Sequence, residues 1–139
     1  MSVLTSVVRV NQIFVARVED VLRPLGLTFA RYEVLMLLRF SRQGELPLGK
    51  MGERLQVHPA SVTNAVDRLE ADGLVRRVPH PSDGRGVLAA ITSAGRRLTQ
   101  KASDALNDEV FTAIGLSATE LTELYALLRR LRRNAGDFV

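Results

Sequence analysis

The stretch LGKMGERLQVHPASVTNAVDRL, residues 48–69, decides how the rest of the chain is read. Leu48, Met51 and Leu55 recur at helical spacing, Val57 follows a break, and Val62, Val66 and Leu69 resume the helical period. Pro59 stands where the first position of a helix favours proline, its missing N–H costing nothing there. Two short amphipathic helices joined by about three residues, with the small Gly52 at their closest approach, form a helix-turn-helix pattern. The second helix of such a pair enters the DNA major groove. Its outward positions here are Ser61, Thr63, Asn64, Asp67 and Arg68. Asn pairs well with adenine and Arg with guanine, and hydroxyls reach bases or phosphates.

Downstream the period changes. Leu74 to Val78 reads as a strand, Pro79 to Gly84 as a turn, and Val87 to Ile91 as a second strand, so that a hairpin with a long polar tip follows the helix pair. Arg76, Arg77 and Arg85 flank that tip, where arginines meet phosphates or the narrow minor groove; for Arg76 and Arg77 a role in solubility alone is an equal alternative. Upstream, Ser2 to Leu22 carries a helical stripe ended by Pro24 and Gly26, and Thr28 caps a helix from Phe29 to about Phe40. Gly44 to Pro47 reads as a loop before the short helix Leu48 to Leu55. After the hairpin, Ser93 opens a helix to about Ala113, and Ser117-Ala118-Thr119-Glu120 is a capping box for a last one. The fold class is therefore mainly α with a small β-hairpin wing, in the order α-α-α-α-β-β-α-α.

Composition narrows the function. The 139 residues, 46% hydrophobic and 24% charged with net charge +4, suit one globular domain. No apolar run reaches the roughly 20 residues that span a bilayer. Arg9, Arg17, Glu19 and Asp20 interrupt any signal-like segment, so a cytoplasmic location is expected. Absence of cysteine removes disulfides, thiol nucleophiles and thiolate metal sites. His58 and His80 read as a cap and a wing-tip residue rather than metal ligands, no cofactor is called for, and no catalytic constellation stands out. The basic residues are 17 Arg and 2 Lys, and arginine suits bidentate phosphate and guanine contacts. Residues 44–92 nevertheless hold six basic and six acidic side chains, so a DNA-facing surface depends on how those charges are segregated.

Asp83-Gly84-Arg85-Gly86-Val87-Leu88-Ala89-Ala90-Ile91-Thr92, followed by Ala94-Gly95, resembles the wing signature of MarR-type transcription regulators. Leu69-Glu70-Ala71-Asp72-Gly73-Leu74-Val75 is similar to the end of that family's recognition helix and its first wing strand, and Leu25-Gly26-Leu27-Thr28 to the entrance of its second helix. The resemblance covers nearly the whole chain. It implies a homodimeric, ligand-responsive winged-helix regulator, most often a repressor, acting on a pseudo-palindromic double-stranded operator. On that reading residues 1–139 form one domain, with a DNA-binding region at 28–92 and dimerisation helices at 1–24 and 93–135.

By position, the resemblance implies that Pro59, Ser61, Thr63, Asn64 and Arg68 belong to the major-groove reader. Arg77 and Arg85 would serve the wing, with Asp83 orienting Arg85 through a salt bridge. His58 departs from the Ser, Asp or Asn expected at the cap, which predicts a weaker cap. The family's cysteine-based oxidant sensors are excluded by composition. Asn11, Phe14, Arg31, Tyr32 and Met36 lie where similar proteins hold aromatic or acyl carboxylates; Arg31 reads first as a surface arginine and, as the alternative, as a partner for a carboxylate. Arg129-Arg130-Leu131-Arg132-Arg133 reads as cations favouring a helix C-terminus. The alternative from another class is a protein–protein adaptor that uses a winged helix without DNA.

Overall fold

The computed structural model describes residues 1–137. Helix α1 (Ser2–Leu22) runs into a 3-10 turn at Arg23–Leu25, closed by Gly26 at φ 72°. Helix α2 (Phe29–Phe40) is capped by Thr28, whose side chain accepts from the Arg31 N–H. A second 3-10 turn, Arg42–Gly44, leads to strand β1 (Glu45–Pro47), then helices α3 (Leu48–Leu55) and α4 (Pro59–Ala71). Strands β2 (Val75–Pro79) and β3 (Val87–Ile91) form the hairpin, followed by α5 (Ser93–Glu109), a 3-10 turn at Phe111–Ala113, and α6 (Ala118–Asn134).

Three of these features differ from the sequence expectation. Gly44 to Pro47 is not only loop: Glu45, Leu46 and Pro47 pair antiparallel with Ala90, Ala89 and Leu88, making a three-stranded sheet in the order β1-β3-β2. Three residues ending in proline have no strand period of their own, and this strand exists because β3 offers an open edge. Proline is tolerated there because an edge strand has free N–H positions. The first hairpin strand begins at Val75, one residue later than expected, because the Leu74 N–H is used to bond Leu69 O at the end of α4. Helix α5 stops at Glu109, and Phe111–Ala113 tightens into a 3-10 turn. The capping box at Ser117 and Glu120 forms in both directions.

One core joins the end of α1, the α2–α4 region, the sheet and α5. Leu22, Leu35, Leu38, Met51, Val66, Leu69 and Leu106 are its fully buried large side chains. Burying each removes about 2 kcal/mol worth of apolar surface from water. Gly52 is buried beside Val57 and Val62, but a methyl group there would meet only ordinary van der Waals contact. Its smallness is therefore a lesser requirement than the sequence suggested.

The terminal helices behave differently. Helix α6 has no buried residue, and Leu124, Tyr125, Leu127, Leu128 and Leu131 are all exposed. On α1, Val3, Leu4, Val7, Val8, Val10 and Ile13 are exposed as well. Between the two helices lies an open groove of about 510 Å³, walled by Val3, Val7, Val10, Leu124 and Leu128. So large an apolar face on one chain marks an association surface.

Candidate nucleic-acid interface

Helix α3 ends where Gln56 takes the left-handed conformation, φ 55°, and its side-chain amide donates to Glu53 O at 2.8 Å. That turn aims α4 away from α3. His58 then caps α4: its Nδ1 accepts from the Ala60 N–H at 3.1 Å, so the unusual residue does perform the cap. Val62, Ala65, Val66 and Leu69 fix α4 to the core. The period of the helix therefore leaves Pro59, Ser61, Thr63, Asn64, Asp67 and Arg68 exposed on the other side. Thr63 Oγ1 donates back to Pro59 O at 3.2 Å, and Arg68 Nε pairs with Asp72 at 3.2 Å.

The wing is a built turn rather than a loose loop. His80 Nδ1 accepts from the N–H groups of Ser82 and Asp83, each at 3.2 Å. The His80 N–H reaches Gly86 O, and the Gly86 N–H reaches Asp83 O. Asp83 Oδ1 accepts from the backbone N–H of Arg85 at 3.0 Å. The expected salt bridge from Asp83 to the Arg85 guanidinium does not form; the carboxylate shapes the backbone instead, as a short Asp side chain in a turn readily does. Arg85 itself is exposed and makes no ion pair among the described residues.

Arg77, expected to serve the wing, is engaged within the protein. Its guanidinium bonds Asp67 at 2.5 Å and Glu70 at 2.8 Å, and its backbone N–H also donates to Glu70 at 2.8 Å. With 28% of its side chain exposed, it bridges strand β2 to helix α4. The backbone N–H of Arg77, then its side chain, hold the Glu70 carboxyl below the usual range. Sequence spacing gave no signal for this clamp, because its members are separated by ten and seven residues across a turn.

The clamp also settles how charge is segregated. Lys50 pairs with Glu53, Arg68 with Asp72, and Arg77 with both Asp67 and Glu70. The acidic groups of α4 are thus covered by cations, while Arg54, Arg76 and Arg85 remain without a carboxylate partner among the described residues. Of the six acids of residues 44–92, Glu53, Asp67, Glu70 and Asp72 are covered in this way, and Glu45 and Asp83 have no cation partner among the described residues. Phosphates approach free cations beside covered acids favourably.

The residues expected around an effector separate. Asn11, Phe14 and Tyr32 line a cavity of about 250 Å³ among α1, α2, α5 and the turn that follows α5, with Phe29 and Phe111 as further walls. Tyr32 is buried, with its hydroxyl 2.9 Å from Ser103 Oγ. Met36 faces a different groove on the other side of Tyr32. Arg31 lines neither space, and its Nε is buried without a hydrogen-bond partner. Among the described residues no group of three His, Cys, Asp or Glu could hold a metal ion, and no helix is long and apolar enough to cross a membrane.

Residues 27–87 match the sequence profile of the MarR family. Among solved structures, Sco5413 of Streptomyces coelicolor, a MarR family transcriptional regulator, is 50% identical, covering 99% of this chain and 96% of its own, at a TM-score of 0.91. A cysteine-to-serine mutant of Escherichia coli MarR, solved with operator DNA, is 26% identical over 94% of each chain at a TM-score of 0.86. CouR of Rhodococcus jostii RHA1, solved with p-coumaroyl-CoA, is 29% identical over 88% of this chain and 86% of its own, at 0.78. With a winged helix-turn-helix whose wing is bolted to its reading helix, and a relative of half-identical sequence along its whole length, the chain belongs to the MarR family of transcriptional regulators.

Proposed function

We propose that the chain works as a homodimeric, ligand-responsive DNA-binding repressor, with Pro59, Ser61, Thr63, Asn64 and Arg68 at the major groove and Arg85 at the flanking minor groove. The observation that carries this reading is the joint exposure of the polar α4 face and the wing tip on one unit held together by Arg77. Asp83 shapes the wing so that Arg85 projects from it, and Arg77 positions the wing rather than contacting DNA openly. Two copies joined through the apolar faces of α1 and α6 would present two reading helices to successive grooves of a pseudo-palindrome. Residues 28–92 then form the DNA-binding region, and 1–24 with 93–135 the dimerisation helices. Such work needs no catalytic step and takes place in the cytoplasm.

The cavity between α1, α2 and α5 suits the aromatic or acyl part of an effector, with Asn11 and Tyr32 as its polar groups. An effector that binds better to a dimer with differently spaced reading heads lowers DNA affinity by that difference in binding free energy. Fluorescence anisotropy with the DNA flanking its own gene tests the reading, for wild type and Arg85→Ala. Loss of a wing arginine is expected to cost about 1–3 kcal/mol and to flatten the salt dependence by about one phosphate contact. Absence of salt-dependent binding to any selected duplex would return the adaptor reading.

A further inference from the structure

A groove of about 500 Å³ runs along the outer side of α2, between Leu55 at the end of α3 and Phe111 in the turn after α5. Phe29, Tyr32, Met36 and Phe40 form its walls, and the sole charged group of the lining is Glu33. It shares Phe29, Tyr32 and Phe111 with the cavity on the α1 side, whose lining carries no charged side chain. The two spaces therefore ask for different chemistry.

Glu33 is half-buried and makes no hydrogen bond or ion pair among the described residues. Burial pushes its carboxyl above the usual range. A carboxylate partly stripped of water and left without a cation is costly, and natural structures pair such groups. Arg39 is the nearest cation in sequence on α2 after Arg31, but its guanidinium is engaged by Gln100 and lies 6.0 Å from the Phe40 ring centroid. Phe40 is 77% exposed, so its ring is open to a ligand that lies in the groove.

Aromatic faces carry negative charge density and attract cations, most strongly when the cation sheds water. Methionine adds a polarisable contact. Four aromatic rings, a thioether and one unpaired carboxylate thus define the ligand: it is apolar, it has a size suited to the groove, and it carries a single positive charge. An anion of the same shape would meet Glu33 with no cation in the lining to offset the repulsion. We propose that this groove binds a lipophilic aromatic cation, a quaternary ammonium, a phosphonium or a protonated aryl amine, with Glu33 as its counter-ion.

Titration calorimetry on the full chain tests this with tetraphenylphosphonium and tetraphenylborate, two ions of nearly the same shape and opposite charge. At neutral pH the cation is expected to bind at least about tenfold more tightly than the anion. Glu33→Gln, which keeps the shape and removes the charge, is expected to weaken the cation about tenfold and to abolish the preference. Phe40→Ser, at an exposed position, is expected to weaken the cation by about threefold to tenfold. Equal binding of the two ions, no measurable cation binding, or an unchanged affinity in Glu33→Gln would overturn the assignment. Circular dichroism verifies that each variant is folded. The readout is direct binding, so failure here and failure to bind DNA are separate results.

Discussion

Gly95, in the first turn of α5, sits against the carbonyl of Leu74, and replacing it by alanine tests how the hairpin is joined to that helix. A Cβ added there would lie 2.2 Å from Leu74 O and 2.8 Å from Ile91 Cγ1. The first atom is backbone and cannot swing aside. It is also held, accepting the Thr92 N–H at 3.0 Å, while Thr92 Oγ1 donates to Gly73 O and accepts from the Gly95 N–H. Relief requires the helix start and the hairpin base to separate by about 1 Å. Overpacking of this kind costs about 1–3 kcal/mol, and a weakened hydrogen bond adds about 1 kcal/mol. The better helix propensity of alanine returns at most about 1 kcal/mol. With that gain taken in full, a net destabilisation of about 1–3 kcal/mol follows, or a Tm lower by roughly 3–15 °C for a domain of this size. Urea unfolding followed by circular dichroism, at one fixed chain concentration because association contributes to stability, measures it. Two other glycines calibrate the scale. Gly73 has φ +72° but open space around it, so alanine there should cost about 1 kcal/mol from strain alone. Gly84 has neither a positive φ nor a neighbour within 4 Å and should be nearly silent. If Gly95→Ala proves as stable as Gly84→Ala, the close approach inferred here is wrong.

Three further outcomes follow from the interface and the terminal helices. His58→Ala should lower stability by about 1 kcal/mol through the lost cap, whereas His58→Asp should keep that stability in a urea titration yet weaken DNA binding by its negative charge. Glu70 has a lowered carboxyl pKa, so its contribution is complete above the ordinary value of 4.5 and is lost as pH falls through the lower folded value. The protection factor of the Arg77 amide against hydrogen exchange, taken relative to the intrinsic rate at each pH, should therefore fall on acidification below that ordinary value, and Glu70→Gln should remove the step. Leu128→Arg, on the exposed apolar face of α6, should shift the chain from dimer to monomer in sedimentation velocity without altering its helical content.

The parts of the fold that were legible in the sequence are those whose period or punctuation is local. Residues 48–69 announced two helices and a turn because their apolar positions repeat within one helix each, and Ser117 to Glu120 announced a helix start by its own residues. Strand β1 was not legible, since Glu45-Leu46-Pro47 becomes a strand only by pairing with residues more than forty positions away. The site divides along the same line. The exposed face of α4 follows from helical geometry, but the roles of Arg77 and Asp83 depend on which partner the fold brings near. For Arg77 that partner is a pair of carboxylates on α4, and for Asp83 it is the backbone of the wing. Among the residues grouped around an effector, Arg31 and Met36 part from Asn11, Phe14 and Tyr32 because α2 turns its successive residues toward different neighbours.

Both imidazoles of the chain are committed through the same atom. At His58 and at His80 the Nδ1 lone pair accepts backbone N–H groups, once at the start of α4 and once inside the wing. A neutral ring that accepts at Nδ1 must carry its hydrogen on Nε2. The tautomer is thereby fixed at the exposed start of α4 and at the half-buried base of the wing turn. Among the described residues the Nε2–H of neither ring has an acceptor, and a phosphate oxygen is a natural one. The same bonds that shape the protein's turns therefore decide which way its only two histidines can donate when a duplex arrives.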